Sequence, residues 1–174
     1  QQAVAAGGVV IASAGNDGGA TGDVATPADI PEVIAFGAIQ KDGTVWSNSS
    51  RGNDAGNPCQ QVPVPLVGVK NGRCDPDKKP EIVAPGVEIL SAWTGESYVR
   101  ATGTSQATPF VTAAVAILLE GRAPLSNKAE VEHVKQVLVN TAQPIPGQTP
   151  PHDVAARTGP LDAADGCARR RGAG

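Results

Sequence analysis

The chain has 174 residues, which is enough for one domain with a buried core or slightly more. Its 14 Lys and Arg and 17 Asp and Glu give a net charge of −3, which offers no electrostatic reason to expect nucleic acid or a membrane as partner. Hydrophobic residues make up 40% and charged residues 18%, values typical of a folded globular chain rather than a disordered one. No apolar run reaches the roughly 18 residues that a membrane-spanning helix needs, so no such helix is predicted.

The first forty residues predict the end of a helix followed by two buried strands. Residues 1–6 are typical of a helix that Gly7-Gly8 would stop. Residues 9–14 and 32–39 are short, continuous apolar runs, typical of strands that are covered on both faces of a parallel sheet. Strands that alternate with helices favour the α/β class.

Residues 51–79 interrupt this alternation with Pro, Gly, Asn and charged side chains, and we expect an inserted surface loop there. The chain has three cysteines, Cys59, Cys74 and Cys167, which cannot all pair within one chain. A disulfide between Cys59 and Cys74 and a pair of free thiols both stay open. No Cys or His cluster has the spacing of a zinc site, so no metal site is predicted.

Beyond the loop, the predicted elements are strands at 81–84 and 88–92, helices at 105–120 and 128–141, and a basic tail at 169–174. The helix at 105–120 is apolar on nearly every side, which is typical of a central, fully buried helix. The helix at 128–141 has Asn127 at its cap position and Glu130 three residues later, a variant of the capping box.

Ser105 opens the first of these helices, within Gly103-Thr104-Ser105-Gln106-Ala107-Thr108-Pro109. A hydroxyl there lies near unpaired backbone N–H groups and the positive end of the helix dipole. These groups can stabilise the negative charge that develops when a Ser oxygen attacks a carbonyl. A Ser at this place is also a common helix N-cap, and the residues alone leave both interpretations open.

Asn16 follows the first buried strand, within Ala12-Ser13-Ala14-Gly15-Asn16-Asp17-Gly18. Ligand sites of open α/β sheets lie at the carboxyl ends of the strands, where a fixed side-chain amide could donate a hydrogen bond to an oxyanion. The alternative is a turn residue that precedes Asp17-Gly18. This choice also stays open on the residues alone.

Taken together, these segments resemble the carboxyl-terminal portion of the catalytic domain of the subtilisin-like serine proteases, the subtilases. The similar segments occur in the family's order at residues 8–16, 26–38, 46–50, 84–89, 103–111 and 159–164. The resemblance implies a three-layer subtilisin-like α/β fold with a mostly parallel sheet. Residues 1–168 would form only the C-terminal part of that domain.

The resemblance also implies site residues. Ser105 would be the nucleophile of a serine endopeptidase, Asn16 would donate to the oxyanion, and Thr104 would support that donor. The implied substrate-binding residues are Ser13, Ala14, Gly15 and Gly103. A polypeptide substrate and secretion follow from the same resemblance, as does calcium, for which the sequence contains no ligand loop. Gln106 stands where the family usually has Met.

The family's catalytic Asp and His have no counterpart in this sequence, because neither an Asp-(Thr/Ser)-Gly nor a His-Gly-Thr context occurs. His133 is expected on the solvent side of the second helix and His152 in a surface loop, so neither is expected to be the base. We therefore expect an amino-terminal portion that carries the Asp and His, on another chain or outside these 174 residues, or a truncated product. The isolated chain would then be inactive, and the alternative is a degenerate, non-catalytic peptide-binding module.

Overall fold

The computed structural model describes residues 1–18, 24, 26–51, 79–143 and 145. The elements in these ranges are α1 (Gln2–Ala5), β1 (Ile11–Ser13), β2 (Ile34–Ile39), β3 (Ile82–Pro85), β4 (Ile89–Trp93), β5 (Ser97–Ala101), α2 (Thr104–Leu119) and α3 (Lys128–Thr141). Strands β1, β2 and β3 form a parallel sheet in that order, with Ile11 opposite Ile34 and Phe36 opposite Ile82. The predicted α/β class and the parallel pairing are confirmed.

The central strand β2 is buried along its whole length because different segments cover its two faces. Its side chains at 34, 36 and 38 face the two long helices, and the shared core comprises Ile34, Phe36, Ala38, Ile82, Ala84, Ala107, Val111, Val115, Leu118, Val134 and Leu138. On the opposite face, Ala35 packs with Ala12, Ala28 and Val33. A strand with no solvent face needs apolar residues at every position, which explains the continuous run in the sequence.

Helix α2 differs from its prediction in two respects. It begins at Thr104, with Gly103 at the N-cap, rather than at Ser105. It is also not buried on all sides, since Phe110 is 48% and Ile117 is 52% exposed. In the described part of the chain only one stripe of the helix packs against the sheet, and the apolar side chains on its other side are exposed.

The predicted bounds of the second helix, residues 128–141, are confirmed by α3. Asn127 is the N-cap, and its Oδ1 accepts a hydrogen bond from the Glu130 backbone N–H at 3.1 Å. The Glu130 carboxylate in turn accepts from the backbone N–H of Ser126 at 2.7 Å, one residue earlier than in the usual capping box. His133 lies on the exposed side of this helix, as expected.

Strand β5 is absent from the sequence prediction. It pairs antiparallel with β4 to form a hairpin that leads directly into α2. The large hydrophobic side chains of this hairpin, Leu90, Trp93 and Tyr98, are exposed. Because the hairpin lacks a buried face, residues 97–101 contain no apolar run by which a strand could be recognised.

Buried charges join the start of β3 to α3. The ammonium groups of Lys79 and Lys135 lie 2.5 Å and 2.9 Å from Oε1 of Glu81, and all three side chains are at most 4% exposed. The other carboxylate oxygen of Glu81 accepts from the Ala35 backbone N–H at 2.8 Å, and Lys135 also donates to the Pro31 carbonyl at 2.8 Å. We call Lys79, Glu81 and Lys135 the buried ion cluster.

Several predictions concern residues outside the described ranges. They are the greater part of the inserted loop at 51–79, the disulfide state of Cys59, Cys74 and Cys167, the surface position of His152, the segment at 159–164 and the basic tail at 169–174. Within the described ranges, no helix is both long and apolar enough to cross a membrane.

Candidate active site

The segments around Asn16 and Ser105 meet at the carboxyl end of β1, although they are almost 90 residues apart in the chain. The backbone N–H of Thr104 donates to Oδ1 of Asn16 at 2.9 Å, and the Thr104 hydroxyl lies 3.0 Å from the same oxygen. These hydrogen bonds connect the first residue of α2 to the loop that follows β1. Thr104 itself is fully buried.

The Thr104 hydroxyl also fixes the residue before Asn16. Its oxygen accepts from the Gly15 backbone N–H at 3.2 Å and lies 3.2 Å from the Gly15 carbonyl oxygen. A hydroxyl carries one proton, so the carbonyl and the Asn16 side chain share it as acceptors. Thr104 therefore contacts both Gly15 and Asn16 through its hydroxyl.

These contacts orient the Asn16 carboxamide. Its Oδ1 accepts from Thr104, and its Nδ2 and Oδ1 lie 3.3 Å and 3.5 Å from where a Cβ on Gly103 would be. The residue is exposed, so its N–H₂ group can reach a ligand at the surface. A carboxamide held by its oxygen and open at its nitrogen can donate to an anionic oxygen.

Ser105 is exposed at the second position of α2. Among the described residues, neither its backbone N–H nor its hydroxyl has a protein partner, whereas Thr104 N–H donates to Asn16 and Gln106 N–H donates to the Gly103 carbonyl at 3.1 Å. The N-cap interpretation of Ser105 is wrong, since Gly103 occupies that position and no side chain caps the helix. The helix start thus presents one unpaired N–H beside the hydroxyl.

Two glycines allow the end of β3 to approach the start of α2 closely. The Gly103 backbone N–H donates to the Gly86 carbonyl at 2.8 Å. A Cβ on Gly86 would lie 2.7 Å from both the Gly103 carbonyl oxygen and the Cβ of Ala38, a distance that real side chains do not show. The close contact between Gly86 and Gly103 therefore fixes the position of the start of α2 relative to the end of β3.

The predicted substrate-binding residues Ser13, Ala14 and Gly15 lie in a row before Asn16. Ala14 is fully buried, and its N–H donates to the Phe36 carbonyl at 2.9 Å. Both backbone polar groups of Gly15 are engaged, the carbonyl by the Ser50 N–H at 2.9 Å. Peptide groups alternate in direction along a strand, so the backbone N–H and C=O of Ser13, like those of Gly15, face away from β2.

One supporting residue had no predicted role. Ser50 is fully buried, and besides holding the Gly15 carbonyl its Oγ accepts from the Asp17 backbone N–H at 3.1 Å. Ser50 therefore holds the residues on either side of Asn16 in the chain. A Ser in a polar turn carries no signal in the sequence that distinguishes this role from a solvated one.

The described residues offer no base and no metal site. No described Asp or His forms a hydrogen bond with Ser105, and His133 lies on the exposed side of α3. Nor do the described residues contain a group of three or more His, Cys, Asp or Glu side chains that could hold a metal ion.

Residues 1–174 match the model of the subtilase family (Peptidase S8). The chain belongs to this family. Subtilisin E of Bacillus subtilis (strain 168) is 35% identical to it over 120 residues, which cover 68% of this chain and 25% of that protein. Bacillopeptidase F of the same organism is 34% identical over 134 residues, which cover 76% of this chain and 8% of that protein.

Solved structures show the same fold. The patellamide maturation protease PatA superimposes on this subtilase with a TM-score of 0.67 and 27% identity, over 97% of this chain and 53% of the other. The prenylagaramide maturation protease PagA gives 0.66 and 29%, over 92% and 50%. The subtilisin-like fold is thus confirmed, and the chain spans about half the length of these structures.

Proposed function

We propose that this subtilase chain is the carboxyl-terminal part of a serine endopeptidase domain that cleaves peptide bonds through an acyl-enzyme. The observation that carries the proposal is the Asn16 side chain, which Thr104 holds by its oxygen next to Ser105, the following residue of the same helix. Residues 1–168 would be the domain portion, 51–79 its inserted loop and 169–174 its tail. The substrate would be a polypeptide and the protein secreted.

In the proposed reaction, Ser105 Oγ loses its proton to a base and bonds to the carbonyl carbon of the substrate. The carbonyl oxygen becomes an oxyanion that accepts hydrogen bonds from Asn16 Nδ2 and the Ser105 N–H. The C–N bond then breaks, and the amine leaves with the proton that the base holds. Water, deprotonated by the same base, attacks the acyl-enzyme and releases Ser105.

The base and the acid that orients it would come from a segment outside these 174 residues. Two features of the described chain support this step. Among the described strands, β1 pairs only with β2, so its other side can accept a further strand. Beside it lies an apolar groove whose lining includes Val9, Ile11, Val115 and Leu119. Backbone groups on a strand edge and apolar side chains in a groove are the surfaces that another part of the domain would cover.

Covalent labelling tests the proposal. A fluorophosphonate should label the full-length protein, meaning the natural polypeptide that carries these residues, and Ser105→Ala should abolish labelling because the attacking oxygen is gone. The matched control is Ser97→Ala in the exposed hairpin, which should label like the wild type. Labelling that persists in Ser105→Ala, or none in the wild type, would refute the assignment.

The second candidate function is a non-catalytic peptide-binding module, favoured by the lack of a base among the described residues. It predicts that the full-length protein binds peptides without hydrolysing them and without Ser105 labelling. A fluorescent peptide library measured by anisotropy, alongside the labelling assay, separates the two functions.

For the isolated 174 residues, we expect no peptide hydrolysis above background, because a Ser nucleophile needs a base to take its proton. A fluorogenic peptide assay with the purified chain measures this, with Ser105→Ala as the background. Hydrolysis that disappears in His152→Ala would contradict the expectation and identify His152 as the base.

A further inference from the structure

The backbone of Asn16 is positioned by its neighbours in the chain. Within the described ranges, neither the backbone N–H nor the carbonyl of Asn16 has a hydrogen-bond partner. The side chains of Asn16 and Asp17 are both exposed, so packing does not hold this part of the loop. The place of the Asn16 Cα, and with it the origin of the side chain, therefore depends on the backbone hydrogen bonds of the residues before and after it.

Ser50 makes a hydrogen bond to each of these two neighbours. Its backbone N–H donates to the Gly15 carbonyl at 2.9 Å, and its Oγ accepts from the Asp17 backbone N–H at 3.1 Å. Ser50 is fully buried, so water does not compete for these bonds from its side. Removal of the Oγ would free the backbone on the carboxyl side of Asn16 while leaving the bond to Gly15 in place.

We infer that Ser50 is a positioning residue for the oxyanion donor: it fixes the backbone on both sides of Asn16 so that the carboxamide is aligned before charge develops on the substrate. The inference rests on the proposed function. Thr104 holds the far end of the Asn16 side chain, at Oδ1. Ser50 holds the near end, at the flanking peptide groups. A donor fixed at both ends needs no reorganisation when the oxyanion forms.

Ser50→Ala tests the inference in the full-length protein, because it removes the acceptor of the Asp17 N–H. We expect kcat on a fluorogenic peptide to fall roughly three- to tenfold, the effect of one hydrogen bond, with KM unchanged within about twofold. The matched control is Ser49→Ala. Ser49 is equally buried, and its Oγ accepts from the Ala38 backbone N–H at 3.1 Å, but in the sheet rather than in the Asn16 loop. This control should lose similar stability to urea and keep the wild-type kcat.

Two further variants separate positioning from packing and from stability. Ser50→Cys fills the space of the hydroxyl with a weak acceptor, so its kcat should fall like that of Ser50→Ala, and it carries the test if Ser50→Ala does not fold. In the Asn16→Ala background, Ser50→Ala should cause no further loss of kcat, since the group that Ser50 positions is absent. Wild-type kcat in Ser50→Cys, or equal losses from Ser50→Ala in both backgrounds, would overturn the inference.

The proposed function and the inference fail in different ways. If fluorophosphonate labelling does not depend on Ser105, the proposed function fails and the role of Ser50 falls with it. If labelling depends on Ser105 but Ser49→Ala and Ser50→Ala change kcat equally, only the inference fails. Urea unfolding of each variant completes the test: a lower midpoint with unchanged kcat in Ser50→Ala would assign Ser50 to stability and contradict positioning.

Discussion

Asn16→Ala is expected to lower kcat of the full-length protein by about 10²–10³, the effect of removing the corresponding donor in subtilisin, with little change in KM. In the proposed mechanism, the hydrogen bond from the Asn16 N–H₂ group becomes strong when the substrate oxygen becomes negatively charged. The loss of this group therefore raises the free energy of the transition state more than that of the bound substrate. Steady-state kinetics on a fluorogenic peptide measure both constants.

Asn16→Asp separates the donor from the contacts that hold it. The Asp carboxylate still offers an oxygen to the Thr104 N–H and hydroxyl, but the donor becomes a second, negatively charged oxygen. We expect a loss in kcat at least as large as that of Asn16→Ala, with the fold intact by circular dichroism. Asn140→Ala, at an exposed position of α3, is the matched control and should keep wild-type kinetics. Near-normal kcat in Asn16→Asp would contradict the donor role.

Glu81→Gln is expected to destabilise the protein by about 3–5 kcal/mol, the cost of removing one partner from a buried ion pair. Glutamine keeps the shape of the side chain but removes the charge that both Lys79 and Lys135 contact inside the protein. The expected loss is a large share of the roughly 5–15 kcal/mol by which domains are stable. Urea unfolding followed by circular dichroism measures the free-energy difference.

Glu32→Gln is the control for this prediction, because Glu32 pairs with Lys128 at 3.0 Å but the lysine is 60% exposed. Lys128 lowers the pKa of Glu32 through this hydrogen bond, so the pair stabilises the fold at neutral pH and loses that contribution as the pH falls. Solvent screening keeps the contribution below about 1 kcal/mol. If Glu32→Gln and Glu81→Gln lowered the free energy of unfolding equally, the larger contribution assigned to the buried ion cluster would be refuted.

The elements that the sequence predicted well are those whose burial leaves a local pattern. Strand β2 is covered on both faces and is therefore apolar at each position. Helix α3 buries one stripe and carries its own cap, so both its period and its start at Asn127 are visible in the sequence. In each case the information lies within a few neighbouring residues.

The features that were missed depend on what packs against a segment. Strand β5 has no buried face, and the composition of α2 cannot tell a covered side from the exposed side of Phe110. The link from Thr104 to Asn16 and the ion pair from Glu81 to Lys135 join residues far apart in the chain. Resemblance to a family predicted roles for Asn16, Ser105 and Thr104, but the sequence alone could not assign Thr104 its partners.

The hydrogen bond from Thr104 to Asn16 closes a loop of 88 residues. Closing so long a loop costs conformational entropy that forming a local helix does not. The helix that bears Ser105 can therefore exist before the amide that would stabilise the oxyanion has reached it. In the proposed protease, a newly made or partly unfolded chain would carry a nucleophile without its oxyanion donor. Its proteolytic activity would then require this long-range contact in addition to the helix.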